Sequence, residues 1–380
     1  MNEAGQHTPR ILHCLPTGAG DVTLHRIREV VAGLGAGLRH EFVVADGADP
    51  AELLDALAAL GVRPANGFPE VRGGFGPRRF ARLAKAMQPY GLVFSYGWPA
   101  IDLAMAHTLF RDSMSLPPLF HHEDGEDWDA RREAGVRRKW YRRLSFGKVD
   151  GIVVATSALA SFASEEWQQP NRRIHNISTA IDTASFDRPA RLDALRVRKR
   201  EGEHWAGLIA PLDQSVDWSG VIEAFNALPE QWHLVIVGEG RARDAILSAA
   251  AELEISHRVH LPGTVRDRAE ALALFDMYLL PPGGTAQTLG VLEAMAAGLP
   301  LVGHLPAALA DLPCDTNREL LAGANGKGGL VDGLKLLAED NQLRRKLGEA
   351  NQERARAQFD RSQMVERYRG LVAAAFGREF

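Results

Sequence analysis

One carboxylate lies in an otherwise small and apolar stretch of the sequence, TLGVLEAMAAGLPLVGH, at positions 288–304. The apolar side chains repeat at helical spacing, and Gly298 followed by Pro300 predicts the end of a helix. Glu293 would therefore lie near the first turns of a helix that is suited to burial. Because burying a carboxylate without a partner is costly, Glu293 indicates either a bound ligand or a structural ion pair with a lysine or an arginine.

A second polar cluster, HHEDGEDWD at positions 121–129, follows a predicted strand and combines two histidines with five acidic residues. A general base, or a hydrogen-bonding group for a sugar, could come from this cluster. The candidates are His121, Glu123 and Asp124. Such an oxygen-rich cluster also resembles a cation site, and a solvated acidic loop is the alternative to both.

A glycine-containing loop, PTGAGD at positions 16–21, joins the first predicted strand to the first predicted helix. Glycines permit a close backbone approach to a phosphate or to an acceptor. The candidates for that role are Gly18, Ala19, Gly20 and Asp21. A simple tight turn is the alternative interpretation of the same residues.

The elements that would carry these residues alternate between short apolar runs and amphipathic segments. Strands are predicted from ILHCL, EFVVA, LVFSY, PLFHH and GIVVA in the first half, and from HWAGLIA, HLVIVG, RVHL and YLLPP in the second. Helices are predicted between them, which is typical of a parallel, doubly wound sheet. This α/β pattern predicts two Rossmann-like domains that face a cleft, with ligands at the carboxyl ends of the strands.

A charged segment, RPARLDALRVRKREGE, interrupts the alternation and predicts the domain limits. Residues 1–187 would form the first domain, residues 188–203 a linker, and residues 204–360 the second domain. A length of 380 residues is long for one hydrophobic core and natural for two domains.

Composition and charge exclude several classes of protein. The net charge of −4 gives no reason to expect a nucleic acid as the main partner. Two cysteines far apart in sequence fit a reducing compartment rather than a disulfide framework or a metal cluster. The chain starts without the apolar core of a secretory signal, and no apolar run approaches the roughly 18 residues of a membrane span. We therefore expect a cytoplasmic protein.

A basic segment at positions 130–144, ARREAGVRRKWYRRL, is predicted to be helical. It carries six arginines and one lysine, with Trp140 and Tyr141 between them. Basic residues interleaved with aromatic ones suit an anionic membrane surface, and a solvated helix face is the alternative. The segment therefore suggests a peripheral contact with the inner face of the cell membrane.

The order of motifs in the second half, HLVIVGEG, RVHLPGTV, YLLPP and TLGVLEAMAAGLPLV, resembles the donor half of retaining glycosyltransferases of family four. AIDTASF at 180–186 and QFDRSQMVERY at 358–368 extend the resemblance over nearly the whole chain, and GVRRKWYRRL resembles members that build polysaccharides. The resemblance implies the GT-B fold, with residues 361–380 packed as a helix on the first domain. It also implies that no metal or other cofactor is needed besides a nucleotide sugar as co-substrate.

The resemblance gives Glu293 a role, because the family holds the ribose hydroxyls of its donor with a glutamate at the start of this helix. The helix N-terminus supplies N–H groups and a partial positive charge for the diphosphate. The backbone amides that would hold it belong to Thr288, Leu289 and Gly290. The residues that would line the nucleobase and phosphate side are Gly238, Gly240, Gly263, Val265 and Arg266. The residues that would face them from the other domain are His121, Glu123 and Asp124.

Three charged groups of the family are replaced in this sequence. Thr285 stands where the family has the first glutamate of its motif. Pro211 and Val216 stand where the family has an arginine and a lysine that clamp the diphosphate. Arginines near the two glycine-containing turns could substitute for these charges, namely Arg241, Arg243, Arg266 and Arg268.

We therefore expect transfer of a sugar, with retained configuration, from a nucleotide sugar to a glycan or lipid-linked acceptor in polysaccharide or glycoconjugate biosynthesis. The replaced charges favour a competing hypothesis, a catalytically degenerate scaffold that binds a glycan or a partner protein. A nucleotide-sugar epimerase of the same architecture is a third hypothesis, and no acid–base set in the sequence supports it.

Overall fold

The computed structural model of the chain describes residues 8–16, 21–46, 51–124, 136–191, 193–282, 288–306, 309–322 and 327–379. Several candidates lie outside the described residues, namely Gly18, Ala19, Gly20, Thr285, the side chain of Asp21 and positions 130–135 of the basic segment. The chain divides into two compact units, Met1–Thr179 together with Ser362–Phe380, and Ala180–Arg361. The domain limits at 187, 203 and 360 stay a prediction.

The first unit is built on a parallel sheet, which has seven strands among the described residues in the order β3-β2-β1-β4-β5-β6-β7. The strands are β1 Arg10–Leu15, β2 Arg39–Val44, β3 Arg63–Pro64, β4 Leu92–Tyr96, β5 Leu119–Glu123, β6 Gly151–Val154 and β7 Ile174–Asn176. The central strands β1, β4 and β5 are buried almost throughout. Continuous apolar runs of this kind are expected where helices cover both faces of a parallel sheet.

Helices connect the strands of the first unit. They are α1 Asp21–Leu34, α2 Ala51–Ala58, α3 Pro77–Met87, α4 Ile101–Met114, α5 Val136–Ser145 and α6 Ser157–Glu165. A helix from the far end of the chain, Arg361–Phe376, also packs in this unit and is called the closing helix below. Gly33 of α1 leaves room for it, because a Cβ at that glycine would lie only 2.4 Å from Cγ1 of Val365.

The second unit is built on a smaller parallel sheet, which has five strands among the described residues in the order β10-β9-β8-β11-β12. The strands are β8 His204–Ile209, β9 Trp232–Val237, β10 Val259–Gly263, β11 Met277–Leu280 and β12 Leu301–Gly303. The helices are α7 Trp218–Asn226, α8 Arg243–Glu252, α9 Arg268–Leu272, α10 Thr288–Ala296, α11 Asp315–Ala322, α12 Lys327–Glu339 and α13 Asn341–Gln358. One apolar core runs through this unit and includes all five strands.

The two sheets share a topology, and they confirm the prediction of two Rossmann-like, doubly wound units. In each sheet the chain first adds strands on one side of its first strand and then adds the remaining strands on the other side. This switch lies between β1 and β4 in the first sheet and between β8 and β11 in the second. In open α/β sheets, ligands bind beside the carboxyl ends of the strands at such a switch. The loops after β8 and β11 are therefore the first place to look for a ligand.

Some elements differ from those predicted. Helix α3 was not predicted, although its buried residues Phe80, Leu83 and Met87 follow helical spacing and Pro77 begins it. Strands β3 and β7 were missed because two and three residues are too short to show an alternating pattern. Strand β5 extends one residue past the predicted run, so Glu123 lies inside the strand instead of in the following loop.

Candidate active site

Three of the candidate donor glycines lie at the carboxyl end of the second sheet. Gly238 and Gly240 follow β9, and Gly263 ends β10. The Gly238 N–H donates to the carbonyl of Gly263 at 3.0 Å, and the Leu212 N–H donates to the carbonyl of Glu239 at 3.0 Å. Backbone hydrogen bonds therefore join the loops after β8, β9 and β10 into one connected surface.

Two of these glycines are required by the approach of one loop to another. A Cβ at Gly238 would lie 1.9 Å from the carbonyl oxygen of Ala210, and a Cβ at Gly240 would lie 2.4 Å from that of Leu212. Both contacts are far shorter than side chains tolerate. The glycines of HLVIVGEG thus have a structural cause, because they let the loop after β9 pack against the loop after β8.

Glu293 lies in the second turn of α10, where its side chain is 14% exposed. The Arg268 Nε donates to its Oε2 at 2.6 Å. The other carboxylate oxygen, Oε1, has no hydrogen-bond partner among the residues that the structure describes. Burial raises the pKa of Glu293 above its ordinary value, and the Arg268 charge opposes that rise. The arginine partner considered in the sequence analysis is thus present, and it bonds to only one of the two carboxylate oxygens.

The remaining donor candidates surround this ion pair along the chain. Thr288, Leu289 and Gly290 form the first turn of α10, so their N–H groups have no acceptor within the helix. Val265 and Arg266 lie between β10 and α9. Val265 packs against the core, whereas Arg266 is exposed. The assignment of these residues to a nucleotide stays a prediction.

The two replaced clamp positions lie on a small cavity in the second unit. Pro211 and Val216 line this space of about 70 Å³, beside the carboxyl ends of β8, β11 and β12. Most of its walls are apolar, and Val216 itself is buried in the core. A lysine at this position would bury an ammonium group, which is costly. Restoring the charge at position 216 alone is therefore a poor way to restore a phosphate clamp.

In the first unit, His121 and Glu123 lie on the same face of β5, and both are fully buried. The Arg142 Nε of α5 donates to Oε1 of Glu123 at 2.9 Å, and the Nε2 of His121 lies 3.7 Å from the same oxygen. The Arg142 guanidinium stacks over the rings of Trp98 and Trp167, 4.8 and 5.3 Å from their centroids. This cluster joins β5 to α5 within the unit. The catalytic roles of His121 and Glu123 stay predictions.

Asp124 directly follows β5 and forms a buried ion pair with α1. The Arg26 Nη2 donates to Oδ1 at 2.6 Å, and the Thr23 hydroxyl donates to Oδ2 at 2.9 Å. The fully buried Arg26 also donates to the carbonyl of Ile177 and to the hydroxyl of Thr179, both at 2.8 Å. In this structure Asp124 therefore connects β5 with α1, and Arg26 connects α1 with the segment after β7.

In the part of the chain that the structure describes, no three His, Cys, Asp or Glu side chains are arranged to hold a metal ion. Both cysteines, Cys14 and Cys314, are buried and free. Of the described helices, none has the length and apolar character needed to cross a membrane.

The architecture is shared with solved structures. HepE from Anabaena, crystallised in complex with UDP, matches this chain with a TM-score of 0.71 at 14% sequence identity. The match covers 96% of this chain and 100% of HepE. At this level of identity the likeness concerns the fold, and it confirms the predicted GT-B architecture.

Sequence relatives give a second comparison. The lipopolysaccharide core biosynthesis glycosyltransferase LpsE of Rhizobium meliloti is 28% identical over 61% of this chain and 67% of its own length. The N-acetyl-alpha-D-glucosaminyl L-malate synthase of Bacillus anthracis is 26% identical over 57% of this chain and 58% of its own length. The family described as Glycosyl transferases group 1 matches residues 206–340, which contain most of β8, the strands β9 to β12 and the Arg268–Glu293 pair. Residues 206–340 are therefore similar to the glycosyl transferases of group 1.

Proposed function

We propose that this chain is a glycosyltransferase that moves a sugar from a nucleotide-sugar donor to a glycan or lipid-linked acceptor. The observation that carries the proposal is Glu293, near the start of α10, with Oε1 unpartnered among the described residues. A carboxylate oxygen at this place can accept the hydroxyl protons of a ribose, and the first-turn amides of α10 can bind a diphosphate. The group 1 match supports this assignment, as does the glycan-building relative LpsE.

The donor side of the proposal uses Arg268 in place of the replaced clamp. Arg268 is 39% exposed and uses its Nε for Glu293, so its two Nη groups can reach a phosphate. The fold relative HepE was crystallised with UDP, which makes UDP the first nucleotide to test. Retention of configuration and the absence of a further cofactor are part of the proposal because the family resemblance implies them.

Calorimetric titration should show one UDP site on the purified chain, and a panel of UDP-sugars should include one that is slowly hydrolysed with retained configuration. Product configuration can be followed by proton NMR. Glu349→Gln, which removes an exposed carboxylate on α13, serves as a control that should bind UDP like the wild type. UDP binding without hydrolysis or transfer would favour the degenerate scaffold. No binding of UDP, ADP or GDP would contradict both readings of the donor site.

We also propose that α5 contacts an anionic lipid surface at the inner face of the cell membrane. Val136, Trp140 and Leu144 follow one another at four-residue spacing, so they form a stripe along one side of the helix. These three side chains are 70%, 54% and 58% exposed. The Arg143 guanidinium lies 5.0 Å from the centroid of the Trp140 ring. An apolar stripe with cations beside it suits insertion at the level of anionic headgroups.

Trp140→Ser combined with Leu144→Ser should weaken binding to phosphatidylglycerol vesicles about tenfold, because two apolar side chains no longer leave water. Co-sedimentation at several lipid concentrations measures the change. Leu247→Ser is the matched control, since this leucine is 42% exposed on α8 in the other unit. Equal binding by the double variant and the control would contradict the proposal.

A further inference from the structure

A pocket of about 340 Å³ opens at the carboxyl end of the first sheet. Its lining comes from the residues just before α3 and the start of α3, from the turn after β4 and the start of α4, and from the first part of α5. The lining residues that matter here are Arg72, Phe75, Trp98, Arg137, Arg138 and Tyr141. None of the predicted catalytic, donor or phosphate-loop residues lines this pocket.

One ion pair in the pocket wall is internally satisfied. Asp102 of α4 accepts from the Arg79 Nη2 at 2.7 Å and also from the hydroxyl of Tyr141. The remaining donors of Arg79 bond to the carbonyls of Val71 and Gly74. The negative charge of Asp102 is therefore balanced by Arg79, and it does not neutralise the other arginines of the pocket.

Three further arginines give the pocket its charge. Arg72, Arg137 and Arg138 are exposed, and none forms an ion pair with a carboxylate among the residues that the structure describes. Because the charges of Arg79 and Asp102 cancel, the described lining carries a net charge of three positive units. Guanidinium groups converging on one pocket match the oxygens of a phosphate or a carboxylate.

Aromatic rings form the other part of the wall. Phe75 is 74% exposed, which is unusual for a large apolar side chain, and its ring meets Phe80 edge to face at 5.2 Å. The Trp98 ring is held between Arg138, 5.2 Å from its centroid, and Tyr141, which packs edge to face at 5.8 Å. Trp98 itself is half-buried, so the exposed Phe75 ring and the accessible part of Trp98 offer flat apolar surfaces to the C–H face of a sugar.

We infer that this pocket binds a phosphorylated saccharide, with its phosphate at Arg72 and Arg137 and its sugar ring against Phe75 and Trp98. The inference rests on the proposed function, because it assigns the pocket to the acceptor and makes that acceptor an anionic glycan. The pocket belongs wholly to the first unit, whereas Glu293 belongs to the second, so each site can be tested with its own ligand.

Calorimetric titration of the full chain with glucose 6-phosphate tests the inference. Arg72→Gln combined with Arg137→Gln should weaken binding at least tenfold, and binding to the wild type should weaken as salt is added. Arg345→Gln is the matched control, because it removes an arginine that is 77% exposed in the other unit. Phe75→Ser should weaken glucose 6-phosphate binding and leave the binding of inorganic phosphate unchanged.

Several outcomes would overturn the inference. Glucose that binds as well as glucose 6-phosphate would remove the role of the arginines, and inorganic phosphate that binds as well would remove the role of the rings. Equal binding by the double arginine variant and Arg345→Gln would place the ligand elsewhere. A loss of phosphatidylglycerol vesicle binding in the double variant, with no glucose 6-phosphate binding to the wild type, would assign the arginines to a lipid surface.

A UDP titration in parallel separates this inference from the proposed function. Binding of UDP without binding of glucose 6-phosphate overturns the inference and leaves the proposed function standing. Binding of glucose 6-phosphate without binding of UDP, ADP or GDP supports the pocket as a saccharide site and removes the transferase assignment. The double arginine variant should bind UDP like the wild type, because Arg72 and Arg137 lie in the first unit.

Discussion

Replacing Glu293 by glutamine should weaken UDP binding roughly ten- to a hundredfold, the effect of losing a hydrogen bond to a charged group. The glutamine keeps the size of the side chain and removes the ionised oxygen that would accept from the ribose. Calorimetric titration of both proteins at pH 7.5 measures the difference. An unchanged affinity would show that Glu293 serves only as the ion-pair partner of Arg268.

The same variant should keep its fold, which separates a binding effect from unfolding. Burial raises the pKa of Glu293 in spite of Arg268. A carboxyl group with a raised pKa contributes stability below its unfolded pKa and loses that contribution as the pH rises through the folded pKa. Ionisation of Glu293 therefore costs the folded unit stability, because burial penalises the charged form. Glutamine, which is neutral, should leave the melting temperature equal or higher.

Arg268 gives this prediction a pH signature. If UDP requires the ionised carboxylate, wild-type affinity falls as the pH is lowered through the raised pKa of Glu293. Arg268→Gln removes the charge that opposes the rise, so the fall should begin at a higher pH. Arg268→Lys should restore most of the wild-type profile. The pH profile of Glu293→Gln records the effect of the titrating nucleotide phosphate alone. That effect is subtracted from the profiles of the other proteins.

Arg26→Met should destabilise the first unit by about 3–5 kcal/mol, the usual result of removing one partner of a buried ion pair. The side chains of Arg26 and Asp124 are 0% and 8% exposed, so the methionine leaves a carboxylate with little access to water. Arg26 also donates to the hydroxyl of Tyr368, on the closing helix, at 3.4 Å. Hydrogen exchange of amides in α1, β5 and the closing helix should therefore accelerate together.

Two further variants test the cause of that loss. Arg26→Met combined with Asp124→Leu should recover much of the stability, because no buried charge is left without a partner. Lys139→Met breaks the pair with Glu166, in which both side chains are 40% exposed, and should change exchange in the unit very little. Equal effects of Arg26→Met and Lys139→Met would show that burial does not govern the energy of these pairs.

The sequence was informative wherever one residue conflicted with its surroundings. Glu293 could be singled out because a carboxylate in an apolar helix needs a partner. Its partner could not be chosen, since Arg268 lies 25 residues earlier in the sequence, at the start of α9. Four arginines near these turns were equivalent in sequence, and only the fold brings α9 beside α10. The cleft between the two predicted domains stays a prediction.

The first unit shows a different limit. Extending β5 by one residue puts Glu123 inside the strand, two positions after His121 and on the same face. What covers that face is α5, whose Arg142 comes from the basic segment that was interpreted as a membrane contact. The sequence predicted a basic helix here, and Val136–Ser145 is helical. Charge and spacing could not show that one arginine of the same run turns inward, because that depends on Trp98 and Trp167.

The closing helix makes the first unit discontinuous in sequence, which fixes an order of events during synthesis. The second unit is one uninterrupted stretch of chain, whereas the first needs residues from both sides of it. Tyr368 is translated roughly 190 residues after Thr179, which takes roughly 10 to 40 s at synthesis rates of about 5–20 residues per second. During that interval α1 has already been synthesised, but Arg26 still lacks its contact with the hydroxyl of Tyr368. Synthesis of the first unit thus starts first and ends last. A chain that is released before the closing helix is made cannot complete this unit.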